Sequence, residues 1–92
     1  GSAGPVDNPV ISGQTMFYPN PFTNHLNVDL SSFSEEEIRV TLFDVTGAIR
    51  YQEFIKNDAS RLTIGSNLKS GYYVLQVKTE RLKEVYHIVK TD

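Results

Sequence analysis

From His25 to Leu30 polar and apolar residues alternate, with Leu26, Val28 and Leu30 on one side and His25, Asn27 and Asp29 on the other. Period two over six residues marks a strand with one buried face. The same rhythm returns at Ile38, Val40 and Leu42, which alternate with Arg39, Thr41 and Phe43. A partner strand over 49–55 places Ile49, Tyr51 and Ile55 on one side, and Leu62 and Ile64 mark a shorter one. In the most β-favouring stretch Tyr73, Leu75 and Val77 form one face, and Tyr72, Val74, Gln76 and Lys78 the other. A last strand over 83–90 has Val85, His87 and Val89 on one face, and Tyr86, Ile88 and Lys90 on the other. Thr15 to Tyr18 opens the series and stops at Pro19-Asn20-Pro21, where two ladder donors are missing and φ is fixed twice.

The intervals agree with this reading. Asp44-Val45-Thr46-Gly47 has Asp first and Gly fourth, the signature of a type I turn, and Gly47 supplies the left-handed residue of a bulged hairpin. Asn57-Asp58 forms another turn, and Glu80-Arg81 the tip of the last hairpin. Ser34 and Glu37 have the spacing of a helix cap, but the alternation that follows rules a helix out. About seven strands with turn signals every ~8–12 residues predict an all-β antiparallel sandwich. Its expected core is Leu26, Val28, Leu30, Ile38, Val40, Leu42, Leu62, Ile64, Tyr73, Leu75 and Val77.

Residues 1–13 are rich in Gly, Pro and small polar residues and read as a linker or tag remnant, with Val10 and Ile11 available as an edge strand. Residues 14–92 form the domain, a module expected to come from something longer. With 92 residues, one core is all the chain can build, and it leaves no room for a buried catalytic pocket. Apolar residues at 39% and charged residues at 22% are globular proportions. The net charge of −2 offers no nucleic-acid footprint, and no long apolar run inserts into a membrane.

Charge divides the chain unevenly. Residues 1–68 carry four basic and eight acidic side chains, whereas 69–92 carry five basic and three acidic ones. Lysines on an edge strand block edge-to-edge pairing, and the same charges would present a basic C-terminal hairpin to an acidic partner.

The search for chemistry returns nothing. There is no Cys, so thiol catalysis, disulfides and Cys-based zinc sites are excluded. The eight Ser include no G-x-S-x-G, and His25 and His87 lack the spacing that holds zinc. Glu35-Glu36-Glu37 reads as a solvated loop, Asp44 is explained by its turn, and Gly47, Gly65 and Gly71 are too dispersed to cradle a phosphate. Neither an enzyme activity nor a cofactor is expected.

Four stretches, taken in order, resemble a family. They are Tyr18-Pro19-Asn20-Pro21-Phe22, Leu42-Phe43-Asp44-Val45-Thr46-Gly47, residues 68–77 around Gly71 and Tyr73, and Tyr86-His87-Ile88-Val89-Lys90. Together they resemble the type A C-terminal sorting domain of the type IX (Por) secretion system of Bacteroidota. The resemblance implies an immunoglobulin-like sandwich that acts as a signal behind an N-terminal cargo domain. It further implies recognition by the type IX translocon in the periplasm and export of the cargo across the outer membrane. A sortase-like surface component would then cut in or before residues 1–13, leaving the cargo attached at the cell surface or released.

Recognition candidates by this resemblance are Pro19, Asn20, Pro21, Asp44, Gly47, Gly71, Tyr73, Ile88, Val89 and Lys90. Thr91 and Asp92 extend beyond the usual terminal Lys. On physical grounds the final strand is expected at an edge, free to add to a partner sheet through main-chain bonds, with Lys90 as a point charge. An exposed terminal strand also permits a strand-exchange homodimer. The competing reading is a fibronectin-like or immunoglobulin-like accessory or carbohydrate-binding module, for which Tyr51, Tyr72, Tyr86, Phe43 and Phe54 supply aromatics.

Overall fold

Each alternating stretch becomes a strand, and the strands assemble into two antiparallel sheets. The computed structural model describes residues 15–33, 37–56 and 61–92. The linker over 1–13 with its edge-strand candidates Val10 and Ile11, the Ser34 cap, Glu35 and Glu36, and the Asn57-Asp58 turn lie outside the described residues. Seven strands are described: β1 (Met16–Tyr18), β2 (Leu26–Asp29), β3 (Glu37–Asp44), β4 (Ile49–Lys56), β5 (Arg61–Ile64), β6 (Gly71–Lys78) and β7 (Lys83–Lys90). One sheet has the order β1-β2-β5 and the other β4-β3-β6-β7, so the final strand lies at an edge as expected.

The sheets bury their apolar faces against each other. Leu26, Val28 and Ile64 of the smaller sheet join Ile38, Val40, Leu42, Tyr73, Leu75, Val77 and Ile88 of the larger in one core. Ten of the eleven expected core residues are buried, and Leu62 is half-buried against the same cluster. At the β1–β7 margin the rings of Phe17 and Tyr86 meet with centroids 4.9 Å apart. Burial and the Glu84 carboxylate push the Tyr86 hydroxyl up to about 12, so it stays protonated and donates to Glu84 Oε1 at 2.6 Å.

The core also contains Phe22, Phe33, Ile55 and Ile88, which are not among the eleven expected core residues. Ile49 departs from expectation. The register between β3 and β4 shifts between Leu42 and Phe43, so that Leu42 opposes Tyr51 while Phe43 opposes Ile49. Arg50 is the extra residue of this bulge, and one inserted residue moves Ile49 to the opposite face from Tyr51 and Ile55. Ile49 is accordingly 54% exposed, while Ile55 is buried.

Candidate functional site

The ten recognition candidates come from four separate stretches, and the sheet topology gathers them at one end of the larger sheet. Asp44 opposes Tyr73, and Tyr73 opposes Ile88. Val89 opposes Tyr72, and Lys90 opposes Gly71 in the register of the last hairpin. Pro19, Asn20 and Pro21 lie along the free side of β7 at the same end, held there by hydrogen bonds of Asn20 to His87 and Val89.

At the Asp44 corner the sequence dictates a tight reversal. The Gly47 amide donates to the Asp44 carbonyl at 3.0 Å, and Gly47 adopts a φ of +88°, a conformation that favours glycine. The Asp44 carboxylate accepts the Thr46 hydroxyl at 2.6 Å and the Thr46 and Ala48 amides, and it pairs with Arg50 Nε at 2.9 Å. These contacts, with the Thr46 hydroxyl foremost, hold its pKa below the ordinary 3.8. Asp44 and Gly47 thus form a self-contained turn.

The proline stretch behaves differently. After β1 ends, both bonds into Pro19 and Pro21 are cis. The Asn20 side chain then performs the part of a strand backbone. Its Nδ2 donates to the His87 carbonyl at 3.1 Å, and its Oδ1 accepts the Val89 amide at 3.0 Å. Phe22 continues the ladder with its main chain: its amide donates to the Val89 carbonyl at 2.9 Å, and its carbonyl accepts the Thr91 amide at 2.8 Å. This makes Phe22 a parallel bridge partner of Lys90. Residues 20–22 therefore act as a clasp over the C-terminal part of β7, satisfying main-chain groups that an edge strand otherwise leaves unpaired.

The clasp is locked by packing. The Phe22 side chain is fully buried, with Lys90 Nζ 5.9 Å from its ring centroid. Gly65 also abuts the ring: its φ is +92°, and an added Cβ would come within 2.8 Å of Phe22 Cε2. Glycine is required there both for its backbone and for the space it leaves. The Ser70 hydroxyl hydrogen-bonds the Asp92 carboxylate, tying the chain end to the loop before β6.

One expectation about the last strand needs correction. Its edge is not open along its whole length, because residues 20–22 already occupy the main-chain groups of Val89, the His87 carbonyl and the Thr91 amide. Lys90 is half-buried over Phe22, and its Nζ donates to the Thr91 carbonyl at 3.3 Å with no ion pair among the described residues. Tyr73 is buried, with its hydroxyl donating to the Lys69 carbonyl at 2.6 Å. The strand pattern alone misses Phe22, Gly65 and Thr91. An aromatic directly after a Pro-x-Pro corner is the one sequence signal that could have drawn attention to Phe22.

His25 is exposed in the loop before β2, and His87 is exposed on the outer face of β7. Among the described residues no group of three His, Cys, Asp or Glu could hold a metal ion. Of the aromatics available to a sugar-binding face, Tyr51 and Tyr86 pack against the core, which divides them from Tyr72, Phe43 and Phe54 on the other face.

Comparison with known proteins places this geometry. The family model described as the secretion system C-terminal sorting domain matches residues 16–91, a span that takes in β1, the clasp and the end of β7. No curated protein matches the chain.

Proposed function

We propose, from the premise that the chain belongs to the secretion system C-terminal sorting domain family, that its signal is read as a folded surface built around the clasp. The domain is a C-terminal sorting signal for type IX secretion, recognised by that machinery on behalf of an N-terminal cargo. Export takes the cargo across the outer membrane to the cell surface or the medium. The family is one of signals and not of enzymes. The accessory-module and carbohydrate-binding reading has no support.

The observation that carries the proposal is the pairing of Asn20 and Phe22 with the last strand. These partners are 67 and 69 positions apart in the chain. An unfolded or half-made chain cannot display the pair, so a receptor that binds it selects domains that have finished folding. Pro19 and Pro21 set the approach of Asn20, Gly71 and Tyr73 place β6 against β7, and Ile88 anchors β7 in the core. The Asp44–Gly47 turn borders the same end of the sheet. In this reading the translocon meets the domain during periplasmic transit, and a sortase-like component severs the chain in or before residues 1–13. A strand-exchange homodimer through β7 would first have to displace residues 20–22 from its edge.

The test is export of a periplasmic reporter fused ahead of this domain in a type IX-competent cell. The intact fusion is expected outside the outer membrane. A fusion lacking Ile88 to Asp92 is expected to stay in the periplasm, and normal surface display of that truncation would refute the proposal.

A further inference from the structure

The face of the larger sheet that points away from the core is unpartnered, and its composition is uneven. At one end the cross-strand register aligns Phe54, Arg39, Lys78 and Lys83 in a single row over β4, β3, β6 and β7. Directly opposed side chains in an antiparallel sheet sit close together on the same face, and like charges so placed repel each other. None of the three cations meets an acid among the described residues, and the Arg39 Nε is buried with no acceptor. By contrast, Arg50, Lys56 and Arg61 are each paired with a carboxylate. Exposed apolar side chains accompany the row: Phe54 within it is 65% exposed, and Val85, on the next rung with Gln52, Thr41 and Gln76, is 49% exposed.

We infer that this outer face is a second contact surface of the signal, and that its partner is a protein surface bearing carboxylates beside an apolar patch. The inference rests on the export reading above. Charge complementarity selects the acidic partner: the three cations of one row have no ion pair among the described residues and call for the opposite charge. The exposed Phe54 and Val85 among them select a folded protein over a polyanion, because a protein interface combines apolar contacts with charged margins. An anionic glycan would gain little from Phe54 and Val85.

The basic row is also separate from the clasp. The Lys78–Lys83 pair lies seven residues along the hairpin from Gly71–Lys90. At about 3.3 Å per residue that is roughly 23 Å. A partner seated on the basic row leaves residues 20–22 untouched, so the two surfaces can be disabled independently.

The experiment uses the reporter fusion with three paired substitutions. Lys78→Gln/Lys83→Gln lowers the net charge by two on the proposed surface. Met16→Glu/Thr63→Glu lowers it by the same amount on the outer face of the smaller sheet, and Lys78→Arg/Lys83→Arg leaves it unchanged. Thermal melting of each purified domain verifies folding. The Gln pair is expected to export roughly tenfold less cargo, with the other two pairs within about twofold of the unmodified fusion. Equal export of the Gln pair, or an equal loss in the Met16/Thr63 pair, overturns the inference and leaves the clasp reading intact. Failure of the unmodified fusion to leave the cell sinks the export reading instead. Co-sedimentation with vesicles of anionic lipopolysaccharide provides the remaining arm. Binding that the Gln substitutions abolish would make the partner a glycan and contradict the protein surface inferred here; absence of binding supports it.

Discussion

The larger sheet has two edges, and they are closed in different ways. Strand β4 protects itself with local means: a bulge at Arg50, and the charged side chains Arg50, Glu53 and Lys56 along an otherwise exposed strand. Strand β7 depends on a distant segment, because Asn20 and Phe22 supply the hydrogen bonds that its C-terminal part lacks. The first device works as soon as the β3–β4 hairpin forms. The second requires the two ends of the domain to meet, so the finished β7 edge reports on the whole fold. On the proposal made above, this difference is what suits β7, and not β4, to carry the feature that is read.

The comparison is broken most severely at Phe22. Phe22→Ala empties a fully buried site and is expected to cost about 3–5 kcal/mol, measured by denaturant unfolding of the purified domain. Gly65→Ala attacks the same lock, with a left-handed φ and a 2.8 Å clash against Phe22. We expect a loss of about 1–3 kcal/mol.

Asn20→Leu keeps the volume and removes both bonds to β7, and about 1–2 kcal/mol should follow. The corresponding change on the other edge, Lys56→Ala, breaks an exposed pair with Glu37 at 3.7 Å and should stay within about 0.5 kcal/mol. Equal effects at the two edges would remove the distinction between them.

The smallest effect is a pH dependence at the Asp44 turn. The folded state holds the Asp44 carboxyl below its ordinary 3.8, so ionised Asp44 favours folding above that value. The contribution is lost as the pH falls from about 4 through the lower folded value. Asp44→Asn should flatten the acid limb of a stability-versus-pH curve while leaving the β7 clasp intact.

Much of the fold was legible because alternation is local. Leu26, Val28, Val40 and Leu75 declare their buried face within a few residues, and antiparallel pairing then follows from short turns. Ile49 was misplaced because a bulge inserts one residue without interrupting the apolar pattern, and nothing in the spacing of Ile49, Tyr51 and Ile55 reveals it. The candidate site was half legible. Its motifs stood out as stretches, but the pairing of Asn20 with Val89 is a tertiary fact that no window of sequence contains. Phe22 sits in a loop by its prolines and in the core by its neighbours. Thr91 looked like a trailing residue, yet its amide closes the ladder to Phe22. Lys90 has the chemistry of a free charge and the position of a lid over an aromatic ring.

The account stands on the clasp being what the export machinery reads, and the Asn20→Leu fusion tests this most directly. Hydrogen exchange should show the Val89 amide losing protection while amides in the centre of β3 and β6 keep theirs, and export of the reporter should fall with it. A variant whose Val89 amide exchanges freely and whose cargo still reaches the surface at the unmodified level would contradict the central claim.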